Sequence, residues 1–148
     1  MIDNHQKNLA TFIHLSTFSR FIIPLGNFIG PIILWVANKD KSSFVDEHGK
    51  QAINFQISIL LYAILFGLLS IPFFAINIFD GLDIFRFHNL YNFHISFGKP
   101  SPLLYITGGL GIIAFLGFLL ELAFIIKASL SARDGDSYKY PLTINFIK

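Results

Sequence analysis

The sequence predicts an all-α integral membrane protein: a bent or broken first hydrophobic segment, then two long transmembrane helices with an aromatic extracytoplasmic connection. Three observations predict this class. Only 14% of the 148 residues are charged, whereas an ordinary soluble domain carries about 25%. Eighteen residues are Phe, more aromatic surface than a soluble core of this size can hide. Finally, Gln51 to Phe79 runs without a formal charge, longer than the roughly 20 apolar residues a helix needs to cross the hydrocarbon core.

The composition also excludes some classes. The net charge is +2 and the basic residues are dispersed, so nucleic acid is not an expected partner. With no Cys, neither a disulfide framework nor a thiolate metal site is possible. Met1 to Lys7 is polar and mixed in charge, with no small-residue cleavage pattern after an apolar run. The first hydrophobic segment is therefore expected to be retained.

The chain reads as one membrane domain over 1–148, and its first element is the hydrophobic segment 9–37. Leu9 to Arg20 has apolar residues at roughly helical spacing, which fits a helix lying partly in the interface with Arg20 snorkelling to head groups. Pro24, Gly26, Asn27, Gly30 and Pro31 follow. A proline removes a backbone donor and clashes with the preceding turn, so a straight helix through both prolines is not expected. Either one kinked span or two short helices fits, with the bend at 24–27. Trp35 suits an interfacial anchor.

The central helix is 44–79. Ser43 with Asp46 fits a capping box that starts it at about Phe44, and Asp46 with Lys50 makes an i,i+4 ion pair. The connection 80–102 alternates apolar and polar residues from Phe85 to Phe97, which argues for a strand or short hairpin on the membrane surface. The last helix is 103–130. Thr107, Gly111, Ala114, Gly117 and Ala128, with Glu121 among them, recur every three or four residues where the stripe is continuous, a small-residue face of the kind that lets membrane helices pack closely. The tail, 131–148, is polar, with Tyr138 and Tyr140 expected at head-group level.

Loop 39–50 and the C-terminal end from Lys127 onward together carry seven Lys and Arg, and connection 80–102 carries two. The positive-inside rule then places the 39–50 loop and the C-terminus in the cytoplasm of a bacterial inner membrane.

Candidate chemistry is sparse. Glu121 lies six residues inside Lys127, about 9 Å along a helix, and Gln56 lies six inside Lys50, with Asn54 slightly shallower. These three are expected to meet between helices as an intramembrane polar cluster. It would serve either as an inter-helix clamp or as a conduction or binding site. Asp46-Glu47-His48 lacks an i,i+4 pair of metal ligands, so a structural and interfacial role is favoured. His14 and His5 have no convincing partner, and two His six apart, His88 and His94, are a weak metal signal. No P-loop, dinucleotide fingerprint or nucleophile–base set is present. No catalytic residue, metal or cofactor is expected.

The stretch HLSTFSRFIIPLGNFIGPIILWVANKDKSSFVDEHGKQAINFQ, with its P-x-G-N-x-x-G-P, F-V-D-E-H and N-F-Q motifs, resembles a family of small bacterial membrane proteins, domain of unknown function 4870. The tail matches too, through Tyr138, Tyr140, Pro141 and Leu142. That family is regarded as distantly similar to the Tic-twenty component of the chloroplast protein-import machinery. The resemblance implies a multi-helix membrane protein and raises the expectation of a translocation-associated or accessory role.

Three functions follow as expectations. The first is a non-enzymatic subunit that packs with itself or with a larger inner-membrane complex. The alternative is a small oligomeric channel or protein-translocation-like component. The third is a membrane-embedded enzyme or metal protein.

Overall fold

The computed structural model describes the backbone of residues 2–82 and 102–148 and the side chains of 2–76 and 105–148. Every regular element among the described residues is helical. α1 is Asn4–Leu15 and continues into a 3-10 turn, Ser16–Phe21; α2 is Gly26–Val36; a short 3-10 turn, Lys39–Lys41, leads into α3, Ser43–Leu82; and α4 is Pro102–Asp134. The alternating aromatic segment of the second connection lies outside the described residues.

The first hydrophobic segment is two short helices, not one kinked span. The chain breaks at residues 22–25, where Leu25 takes a left-handed conformation (φ 59°), costly for any residue with a Cβ. Pro24 lies in this turn, while Pro31 stays inside α2 without ending it. Two glycines let α2 close on the 3-10 turn. A Cβ on Gly26 would stand 2.5 Å from the Ser19 carbonyl, and one on Gly30 would stand 2.8 Å from that of Ser16.

The other helix ends follow from local chemistry. The Ser42 Oγ accepts from the Val45 N–H and the Ser42 carbonyl accepts from the Asp46 N–H, so Ser42 caps α3 and the expected cap, Ser43, is already helical. α4 stops at Gly135, which has φ +93°. The Asp136 N–H reaches the Ser131 carbonyl at 2.9 Å and the Gly135 N–H reaches that of Ala132, the paired bonds of a Schellman motif.

The chain divides into two compact units, Met1–Tyr62 with Leu119–Lys148, and Ala63–Phe118. In the first, Ile13, Val45 and Ala52 form one apolar cluster, bordered by Leu9, Leu34 and Trp35. Phe55, Ile125, Ala128 and Tyr140 form a second. The tail lies along α3: the Asn54 Oδ1 accepts from the Phe146 and Ile147 N–H groups, its Nδ2 donates to the Ile147 carbonyl, and Ile144 N–H donates to Ser58 Oγ. The Tyr62 hydroxyl donates to the Leu142 carbonyl at 2.7 Å.

Among its described residues, the second unit is apolar helix with most side chains outward, among them Leu69, Ile71, Ile112 and Phe115. Ser43–Ile76 and Tyr105–Asp134 are long and apolar enough to cross a membrane, with only 6% and 11% of their most apolar windows buried inside the chain. A soluble core helix would be covered; these two leave their apolar surface for lipid.

Candidate functional site

Three segments of the first unit meet at a fully buried polar centre. His14 sits on the face of α1 that also buries Ala10, Ile13 and Thr17. His48 sits on the face of α3 that buries Val45, Ala52 and Phe55. His14 Nε2 and His48 Nδ1 are 2.8 Å apart, with the rings edge to face. The tail supplies Tyr140, whose ring stacks on Phe55 at 4.0 Å between centroids and whose hydroxyl lies 2.9 Å from His14 Nδ1. Phe44 closes the other side of His48, 4.4 Å between ring centroids.

Hydrogen-bond direction follows from the groups' chemistry. Burial pushes the Tyr140 hydroxyl well above its ordinary value, so it keeps its proton and donates to His14 Nδ1. Burial, with His48 beside it, lowers His14 from 6.5 to about 3, so its imidazole is neutral, carries its proton on Nε2 and donates to His48 Nδ1. His48 then bears its proton on Nε2. That nitrogen is buried without a hydrogen-bond partner.

The arrangement is a neutral Tyr–His–His chain that ties α1, α3 and the tail together. It is not a metal pair as it stands, because two nitrogens 2.8 Å apart are hydrogen-bonded to each other, and a shared metal would need about 2.0–2.1 Å to each from between them. Among the described residues no group of three or more His, Cys, Asp or Glu could hold a metal.

The polar residues singled out from the sequence have separate partners. Glu121 pairs with Arg20 of the 3-10 turn, so Arg20 turns inward and does not snorkel. Gln56 Oε1 accepts from Asn27 Nδ2 at 2.8 Å, while Asn54 holds the tail backbone. Instead of bonding to one another, the three each bond to a different segment: Glu121 to the 3-10 turn, Gln56 to α2 and Asn54 to the tail. Tyr140 is buried within the protein, where its ring completes the Phe55 cluster. Asp46 bonds to Lys50 and also accepts from Trp35 Nε1 at 2.8 Å. Glu47 is exposed, as are Pro141, Gly111, Ala114 and Gly117, while Thr107 and Ala128 are buried and Tyr138 is half-buried.

Sequence reasoning missed His14 as a partner of His48. The two are 34 residues apart, and Tyr140 is 126 residues from His14, so no local spacing joins them. The available signal was periodicity: His14 lies in register with Ala10 and Thr17, and His48 with Val45, Ala52 and Phe55, each a polar group on an otherwise apolar face.

Residues 5–147 match the model of the magnetosome magnetite crystal formation protein family (MamF/MmsF). The chain belongs to this family. The match covers α1, α2, both long helices, the buried Tyr–His–His chain and nearly all of the tail. It replaces the resemblance drawn from the motifs to domain of unknown function 4870 and, through it, to the Tic-twenty import component. Those motifs are the ones that build the helix break, the α3 start and the tail contacts of this magnetosome-family member. Neither the curated proteins nor the solved structures compared with the chain give a match.

Proposed function

We propose that this chain is a non-enzymatic integral component of the magnetosome membrane that takes part in magnetite crystal formation. The observation that carries the reading is the family match over residues 5–147, taken with two helices whose apolar surface is left outward. A non-enzymatic role is supported by how the polar side chains are used. Tyr140, His14 and His48 bond to one another, Arg20 to Glu121, and Asn27 to Gln56, so these groups hold helices together.

The 39–50 loop and the tail face the cytoplasm in this reading, supported by the seven Lys and Arg of that loop and of the chain from Lys127 onward, against two in the intervening connection. The membrane would be the inner membrane or one derived from it. A membrane-protein partner or a second copy would meet α4 along Gly111, Ala114 and Gly117, where an added Cβ on either glycine meets no atom within 4 Å.

The test is complementation in a magnetite-forming bacterium lacking its own family member, with crystal size and number measured by electron microscopy. This chain should restore both, and the Tyr140→Phe variant should restore them at least in part, because it changes stability and no catalytic group. Crystals identical in the presence and absence of the protein would overturn the role in crystal formation.

A further inference from the structure

We propose that residues 4–36 are a re-entrant hairpin whose apolar tip, Phe21–Leu25, seats among lipid acyl chains about half-way across the bilayer, with both its ends on the side of the 39–50 loop. The inference rests on the membrane reading above and adds a topology to it.

The contacts run from base to tip in strict order. Along α4, Lys7 reaches the Asp134 carbonyl, Thr11 the Ser129 carbonyl, and Arg20 reaches Glu121. Along α3, Trp35 reaches Asp46 and Asn27 reaches Gln56. Within the hairpin, Ser19 Oγ donates to the Gly26 carbonyl at 2.7 Å, and Leu9 and Leu34 border the same apolar cluster near the base. α1 with its 3-10 turn therefore climbs as α2 descends. The 11 residues of α2 extend about 16 Å at 1.5 Å per residue, about half the ~30 Å hydrocarbon core.

The tip is built for lipid. Phe21, Ile22, Ile23 and Leu25 are 62%, 84%, 51% and 66% exposed, and this patch continues down the outer face of α2 through Ile29 and Ile33. The base carries Lys39, Asp40 and Lys41 instead. Irregular backbone at membrane depth needs its polar groups satisfied from within, and five amides around this tip are bonded within the hairpin. The Ile22 and Ile23 N–H groups reach the Ser19 carbonyl, Gly26 N–H reaches that of Ile23, and Phe28 and Ile29 N–H groups reach that of Leu25. Pro24 has no N–H to satisfy.

The chain lacks Cys, so single-cysteine variants can be labelled uniquely with a membrane-impermeant maleimide in right-side-out and inverted vesicles. His5→Cys and Asp40→Cys, both at exposed sites, should label in the same vesicle orientation. Ile22→Cys should label in neither until detergent is added. A fluorophore there should be quenched by phosphatidylcholine bearing a nitroxide near the acyl-chain end, in phosphatidylethanolamine–phosphatidylglycerol vesicles. Labelling of His5→Cys and Asp40→Cys from opposite sides would make the segment a full span and overturn the hairpin alone, as would free labelling of Ile22→Cys in intact vesicles. Release of the unlabelled protein by alkaline carbonate would overturn the membrane reading and the hairpin together.

Discussion

At the scale of single residues, the buried Tyr–His–His chain sets what substitution and pH should do. Tyr140→Phe keeps the ring stacked on Phe55 and removes only the hydroxyl that donates to His14 Nδ1. A buried acceptor left unpaired costs about 1–3 kcal/mol, and thermal unfolding in mild detergent should show a loss of that size; an unchanged midpoint would mean that the bond contributes nothing. His14 supplies a pH dependence. Its folded value is about 3 against 6.5 ordinarily, so between these the unfolded chain binds a proton that the folded chain refuses. Its stabilising contribution is full above pH 6.5 and is lost as pH falls towards 3, at up to roughly 1.4 kcal/mol per pH unit for one proton. Unfolding midpoints of the native protein should drop over that range, and His14→Gln should flatten the slope.

At the scale of elements, the first unit is held by polar bonds placed between helices. Glu121 is buried while the Arg20 side chain is 27% exposed, so neutralising Glu121 leaves a cation half inside the protein. Breaking a fully buried pair costs 3–5 kcal/mol, and exposure lowers that. Glu121→Gln should therefore destabilise by about 2 kcal/mol, and Arg20→Gln combined with it should recover part of the loss, as a double-mutant cycle would show. These bonds were partly legible. The apolar runs that became α3 and α4 stand out in the sequence, as does the glycine- and proline-rich break before α2. What Arg20 would do was not legible, because an arginine at the end of an interfacial helix is satisfied equally by head groups or by a carboxylate 101 residues away, and only packing chooses. The cap of α3 differs by one residue from expectation for a similar reason: Ser42 and Ser43 are chemically alike, and backbone geometry selects between them.

At the scale of the whole molecule, the outward apolar surface of α3 and α4 fits a membrane protein, and the chain belongs to the magnetosome magnetite crystal formation protein family. The small-residue face of α4 is tested at this scale. At both Gly111 and Gly117 an added Cβ would meet open space, so Gly111→Leu with Gly117→Leu should leave the unfolding free energy within about 0.5 kcal/mol of native. If this face is the contact between copies or with a partner, native mass spectrometry should show the assembly weakened; an intact assembly would assign the contact elsewhere.

The sequence by itself determined the helical class, the two long apolar helices and the break in the first segment. Each of these is written in local quantities: hydropathy over about 20 residues, helical periodicity, and the backbone limits of proline and glycine. Only the tertiary structure decided the partners of His14, His48, Tyr140, Arg20 and Glu121, and whether the first segment is one helix or two. The side-chain partners depend on which helix faces meet across 34 to 126 residues of chain, where burial favours pairing of polar groups but local spacing does not say with which.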